Sequence, residues 1–325
     1  MKRPKAAVKK ATIYDLAKIA KVSPGTVSRV LNNRDRVKAE TRAAVLRAAT
    51  ELNLKPQASV RNRVIAVISE PSYPDRFGGY TATLTAYLAF AFSRRNIGVL
   101  LPNNPLEELP TKFLDGMVVV TQDEALKHLV ADLEKRIPVV HLDKFSDTTD
   151  EEYVICSDHF GAGYLAARHL IDRGRTRLAF VGGNYAAFGE RMKGFKKALH
   201  EAKLPIDSQR IALFGPETNL ISVVTRAVRA GADAIYAPGS SFEALGCLHA
   251  LSYVMGIKVP QDIALVGGEN QRISSLLNPP LTTIEEPLRD IAEQAVGMLE
   301  ALTSGNKVAQ RRVVLPIRLI ERNSV

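Results

Sequence analysis

Gly25, Ser28, Arg29 and Asn32 recur at i, i+3, i+4 and i+7, the spacing that gathers four residues on one face of an α-helix. Val27, Val30 and Leu31 occupy the opposite face. Such a helix has an apolar side to bury and a polar side whose groups suit base edges. Arg donates bidentately to guanine, Asn pairs with adenine, and Ser serves either. Ser28, Arg29 and Asn32 are therefore candidates for reading bases, with Tyr14, Thr26 and Asn33 placed for phosphates. For each of these the alternative is phosphate contact alone, since roughly half to two-thirds of protein–DNA hydrogen bonds go to the backbone.

The elements that must position these groups are legible around them. Thr12 can cap a first helix, with Asp15 three residues on completing a capping-box-like pair. Ile13, Leu16, Ala17 and Ala20 then form one apolar stripe. Ser23 is a good N-cap for the second helix and Pro24 sits at its first position, where a missing N–H costs nothing. Two short helices joined by a tight turn make a helix-turn-helix, and Lys21 and Ser23 at that turn join the DNA-facing set. A third helix, Ala39 to Leu52 with Val45, Ala48, Ala49 and Leu52 on one face, closes a three-helix headpiece.

Charge separates this reading from an ordinary helical hairpin. Residues 1–63 carry sixteen Lys and Arg against four acids, a net of +12, whereas the rest of the chain holds 28 bases and 30 acids. The whole formal excess of +10 lies in the first fifth of the protein, the footprint of a polyanionic partner. The N-terminus MKRPKAAVKKA has no apolar stretch behind its bases, so it reads as a basic arm rather than a secretory signal.

At 325 residues and 46% apolar, the chain can build a small domain and one large or two medium ones. No apolar run approaches the ~20 residues needed to cross a bilayer. Cys156 and Cys247, each in apolar sequence and without metal-type spacing, read as buried free thiols. The six histidines are scattered. No catalytic constellation emerges, and neither FVGGN (180–184) nor LVGGEN (265–270) matches a nucleotide-binding glycine pattern. The expectation is a cytoplasmic, nucleoid-associated protein without metal, cofactor or catalytic residues.

Beyond Val64, β-like runs alternate with helical stretches. Strands are expected at Val64–Ser69, Gly98–Pro102, Gly116–Thr121, Pro138–Asp143, Arg177–Gly182, Arg210–Phe214, Ala234–Ala237 and Ile263–Val266. Helices are expected at Thr81–Arg95, Gly161–Arg173, Arg191–Ala202, Ile221–Ala230 and Phe242–Met255. Apolar strands separated by helices imply an α/β fold of parallel sheets covered on both faces, and this many units suggests two sheets. Ligands of such folds bind beyond the carboxyl ends of the strands. Tyr73, Phe77 and Tyr80, after the first strand, could line a cleft there or pack in a core.

In order and spacing the chain resembles the lactose-repressor (LacI/GalR-type) family of bacterial transcription regulators. The resemblance rests on TIYDLAKIAKVSPGTVSRVLNN (12–33), VKAETRAAVLRAATELNLKP (37–56), FLDGMVVV (113–120), RHLIDRGRTRLAFVGG (168–183), ERMKGFKKAL (190–199), VPQDIALVGGEN (259–270) and NPPLTTIEEPLRDIAEQAVGML (278–299). It implies a basic arm (1–11), a headpiece (12–55), a hinge (56–63) and a two-lobed, periplasmic-binding-protein-like core (64–325). The lobes would be about 64–168 with 286–313, and about 169–285 with 314–325. It implies a repressor that binds a pseudo-palindromic operator in double-stranded DNA as a homodimer or dimer of dimers. A sugar or related polar metabolite would act as effector, and no membrane is involved. The alternatives are a DNA binder without a working effector site and a small-molecule binding protein with a vestigial headpiece.

Several positions depart from the family pattern. Pro24 and Gly25 stand where relatives often carry base-reading side chains. Lys21 occupies a usual glycine position, where a left-handed backbone would cost about 1–2 kcal/mol. Only seven residues separate Pro56 from Val64, room for about two helical turns, with Val60 the one apolar wedge for a minor groove and Arg61 its basic neighbour. In the effector site the resemblance places Asp158, Arg191, Glu217, Ser240 and Glu269. Arg191 matches the arginine before the family's Gly-Phe pair, where a guanidinium could hold hydroxyls or a carboxylate; a surface salt bridge is the alternative.

Overall fold

The computed structural model describes residues 12–31, 37–52, 63–69, 80–120, 123–145, 149–183, 186–214, 219–239, 241–268 and 272–325. In chain order the headpiece holds α1 (Ile13–Ile19), α2 (Pro24–Leu31) and α3 (Ala39–Glu51). Next come β1 (Val64–Ser69), α4 (Tyr80–Ser93), β2 (Gly98–Leu100), α5 (Pro105–Glu108), a 3-10 turn Leu109–Thr111, β3 (Gly116–Val120), α6 (Glu124–Glu134), β4 (Val139–Leu142), β5 (Tyr153–Ser157) and α7 (His159–Asp172). These are followed by β6 (Leu178–Gly183), α8 (Ala186–Glu201), β7 (Ile211–Phe214), α9 (Leu220–Arg229), β8 (Ala234–Ala237) and α10 (Ser241–His249). The chain ends with β9 (Ala264–Gly268), β10 (Thr282–Glu285), α11 (Leu288–Thr303), β11 (Arg312–Leu315) and β12 (Arg318–Ile320).

The strands form two parallel-dominated sheets, ordered β11-β5-β4-β3-β1-β2 and β12-β10-β9-β8-β6-β7. The β10–β12 pair is antiparallel. The α/β expectation therefore holds, and each expected strand forms to within two residues at either end. β5, β10, β11, β12, α5, α6 and α11 go beyond the elements expected from the sequence. β11 and β12 are short and only partly buried, so they lack the continuous apolar signature of interior strands. Helix caps are built locally: Asp123, Asp158 and Asn219 each accept a backbone N–H at the start of α6, α7 and α9, satisfying donors the helix cannot satisfy itself.

Two compact units are distinguished. The first comprises Met1–Pro71, Ala89–Val139 and Leu299–Lys307, and so includes the headpiece. Its three-helix core is Leu16, Ala17, Val27, Val30, Leu31, Val45, Leu46, Ala48 and Ala49. A separate core lies around β1, β3 and α6, with Ile68, Met117, Leu126 and Val130 buried. The second unit comprises Ser72–Leu88, Val140–Met298 and Val308–Val325. There α7, α8 and the strands enclose Phe180, Phe195 and Tyr236, three rings in mutual contact, while α9 and α10 seal the sheet with Val223, Val224, Cys247 and Leu251.

One detail of the apolar stripe of α1 differs from expectation. Ile13 is 40% exposed, so Leu16 and Ala17 carry the contact with Ala20 partly buried beside them. Both cysteines are buried and free; burial lifts the Cys156 thiol to about 11 and the Cys247 thiol to about 12. Among the described residues no helix is long and apolar enough to cross a membrane.

Candidate functional site

The headpiece presents its polar face as the spacing requires. Thr12 accepts from the Asp15 N–H at 3.3 Å, and its own N–H donates to the Asp15 carboxylate at 2.8 Å. This reciprocal pair fixes the start of α1. The turn then relies on Lys21, whose φ of 52° lies in the left-handed region, as expected at a position better suited to glycine. Ser23 caps α2 by accepting from the Thr26 N–H at 3.1 Å, while the two hydroxyls lie 2.9 Å apart. Val27, Val30 and Leu31 are buried beneath α2.

On the outer side, Tyr14 is 74% exposed and Lys21, Ser23 and Arg29 are exposed, with Thr26 and Ser28 partly so. Arg29 Nε donates to the Gly25 carbonyl at 3.3 Å. Asn32, Asn33, Val60 and Arg61 lie outside the described residues. So do Tyr73, Phe77, Glu217, Ser240 and Glu269.

A second concentration of chemistry lies wholly within the second unit. Arg191 and Glu286 are 5% and 8% exposed and form a direct ion pair through Arg191 Nη2 and Glu286 Oε1. His159, 2% exposed, bonds Asp143 Oδ1 through Nε2 at 3.1 Å and places Nδ1 3.9 Å from Glu286 Oε2. Phe145 meets the His159 ring edge-on, and Phe188 lies 5.3 Å beneath the Arg191 guanidinium.

Among the described residues, Arg191 Nε, Glu286 Oε2, His159 Nδ1 and the Tyr80 hydroxyl are buried and have no hydrogen-bond partner. The Tyr80 hydroxyl lies close enough to Asp143 for that carboxylate to act on it. Burial first, then the Asp143 and Glu286 carboxylates, push its hydroxyl pKa up. For Arg191, burial opposes the charge, but the attraction of Glu286 and smaller contributions from its neighbours outweigh it and leave the pKa raised. Unsatisfied buried polar atoms cost about 1–3 kcal/mol each, so four in one place call for partners from solvent or a ligand.

Close helix packing positions this cluster. An added Cβ on Gly163 of α7 would overlap the Arg191 carbonyl of α8, and one on Gly194 would overlap the Phe160 carbonyl of α7. The two glycines let the helix backbones touch, which sets Arg191 relative to His159 at the start of α7. Asp158 accepts from the Gly161 N–H at 2.7 Å as the α7 cap. Of the expected effector residues described, Arg191 is in the cluster and Asp158 holds the helix that carries His159. Tyr80, Asp143, His159 and Glu286 come from four separate segments, with no spacing in the sequence to join them.

Residues 12–57 match the helix-turn-helix segment of the bacterial regulatory proteins, lacI family, and residues 167–325 match a periplasmic binding protein-like domain. The HTH-type transcriptional regulator DegA of Bacillus subtilis is 29% identical, with 97% of this chain and 98% of DegA aligned. The HTH-type transcriptional repressor PurR of Edwardsiella ictaluri is 33% identical, with 97% of each chain aligned. Among solved structures, a transcriptional regulator CelR–cellobiose complex superposes with a TM-score of 0.72 at 26% identity, covering 97% of this chain and 100% of that one. A lac repressor dimer bound to operator shares the fold at a TM-score of 0.65 and 24% identity, over 97% and 99% of the two chains.

Proposed function

The chain belongs to the lacI family of DNA-binding transcription regulators, and from that premise we propose that it is a repressor that binds a pseudo-palindromic operator as a homodimer. The observation that carries this reading is the headpiece itself. Val27, Val30 and Leu31 anchor α2 from below, while Ser23, Arg29 and Tyr14 stay exposed on a segment whose net charge is +12 over residues 1–63. The naming of PurR as a repressor supports the sign of regulation. The reading includes a cytoplasmic protein that acts on the nucleoid.

The test is fluorescence anisotropy of labelled DNA from the protein's own promoter, beside a scrambled duplex, across a salt series. A regulator of this kind binds the promoter fragment far more tightly, while both affinities fall steeply as salt rises. Equal affinity for the two duplexes at every salt concentration would refute sequence-specific repression.

The buried cluster favours a second reading of the sensor. Arg191, the residue expected to hold a ligand, is already held by Glu286. We infer that the protein's own carboxylate occupies the place of a ligand anion, so that DNA binding proceeds without an effector of that class. The alternative within the same family is a neutral polar effector, as the cellobiose held by CelR suggests. Thermal shift assays with cellobiose, common monosaccharides and sugar acids separate these outcomes. A clear rise in melting temperature with a sugar acid would overturn the internally occupied site.

A further inference from the structure

We propose that Phe113 is a positioning residue that seats the headpiece on the adjoining part of the first unit, independently of the hinge. This rests on the reading of residues 12–52 as the DNA-binding headpiece. Phe113 follows the 3-10 turn Leu109–Thr111, and its neighbours Leu109 and Leu114, 1% and 6% exposed, are rooted in the core around β1, β3 and α6. Phe113 itself turns the other way and packs against the headpiece core. Three residues of one loop thus join two hydrophobic cores: Leu109 and Leu114 hold one end, and Phe113 reaches the other.

The contact is made by the last turn of α3. Ala49, Thr50, Phe113, Leu114, Leu133 and Arg136 border a residual cavity of about 50 Å³ there. Ala49 belongs to the headpiece core, and the Thr50 hydroxyl is tied back to the Leu46 carbonyl, so the surface offered to Phe113 is apolar. The lining of this cavity at the seam forgoes some of the dispersion contacts of close packing. A seam of that kind orients two bodies without fusing them.

Seating through α3 leaves the DNA-facing side of α1 and α2 uncovered: Tyr14, Lys21, Ser23 and Arg29 are exposed in the seated arrangement. The docked headpiece is therefore competent for DNA, and the seam acts as a support rather than an inhibitor. Holding a headpiece in a binding-ready orientation raises apparent affinity by removing the fraction of unproductive orientations.

The test compares wild type, Phe113→Ala and Phe113→Leu in the full chain, by two measurements. The first is amide hydrogen exchange without DNA. Phe113→Ala is expected to speed exchange in the last turn of α3 while β1 and β3 keep their protection, and Phe113→Leu is expected to restore most of the difference. The second is anisotropy on the promoter duplex. There Phe113→Ala weakens binding by roughly three- to tenfold, the scale of losing part of one aromatic burial, with an unchanged salt slope because no cation is removed.

Unchanged α3 exchange in Phe113→Ala would overturn the proposal whatever the DNA result. Faster α3 exchange with unchanged affinity for a duplex that wild type reads selectively would overturn the supporting role. If wild type lacks selective binding, the repressor reading fails instead, and the exchange data still decide whether Phe113 seats the headpiece.

Discussion

Replacing Arg191 alone should harm the fold far more than replacing Arg191 and Glu286 together. Both side chains are more than nine-tenths buried, so each has lost its hydration and depends on the other for compensation. Arg191→Met leaves the Glu286 carboxylate buried with Oε1 newly unpaired beside an Oε2 that has no partner among the described residues. Removing one member of such a pair costs about 3–5 kcal/mol. The double variant Arg191→Met/Glu286→Leu deletes both desolvation penalties with the attraction, and buried pairs replaced in this way come out from neutral to about 1–4 kcal/mol more stable. The four variants of the cycle are compared by urea unfolding, followed by tyrosine fluorescence and far-UV circular dichroism because the chain contains no Trp. Single substitutions that each cost under about 1 kcal/mol, the range of solvent-exposed pairs, would refute the desolvated pair. A double variant as damaging as the two singles combined would show that packing by the guanidinium stem, and not charge, is what the site requires.

Other consequences follow for the headpiece and the thiols. Arg29→Ala should cost about 1–3 kcal/mol on the promoter duplex and much less on random DNA; equal losses on both in anisotropy would assign Arg29 to phosphate. Lys21→Gly should raise headpiece stability by roughly 1 kcal/mol by relieving the left-handed backbone, and should reduce the salt slope by about one if Lys21 neutralises a phosphate. Thermal melting and the salt series check the two halves separately. Because the folded thiols titrate at about 11 and 12 rather than near 9, only the unfolded chain loses those protons first as pH rises. Stability should therefore fall across the window from about 9 upward, as linkage requires, and neither thiol should react with a disulfide reagent at pH 8 until denaturant is added. Rapid reaction of the native protein would contradict their burial.

The headpiece was largely legible in the sequence because its determinants are local. Thr12 with Asp15, Ser23 before Pro24 and the Val27–Val30–Leu31 face each lie within one or two helical turns, and Lys21 stands out as a side chain at a glycine position. In the effector region Arg191 and Asp158 were legible through the resemblance, and Tyr80 as a residue that lines a cleft or packs in a core, but the partner of Arg191 was not. Glu286 lies 95 residues from Arg191 in sequence, beyond a strand that the apolar pattern does not mark. His159 and Asp143 meet only because β4, β5 and α7 bring them together. Phe113 carried no signal either: one aromatic between Lys112 and Leu114 looks like any loop residue until the chain folds and turns it away from its neighbours.

If the cluster around Arg191 is where the proposed effector binds, the internal pair also constrains what kind of effector it accepts. An anionic ligand that engages Arg191 must displace Glu286, leaving that buried carboxylate without its arginine partner. A penalty of about 3–5 kcal/mol weakens the apparent affinity by roughly two to four orders of magnitude. A neutral ligand faces no such exchange, because it can leave the Arg191–Glu286 pair intact. Charge neutrality of the ligand, rather than its size, should therefore dominate selectivity. Calorimetric titration with matched neutral sugars and their uronic acids tests this directly, with binding expected only for the neutral member. Tighter binding of the uronic acid would mean that Glu286 yields easily and that Arg191 answers to the ligand before it answers to its own chain.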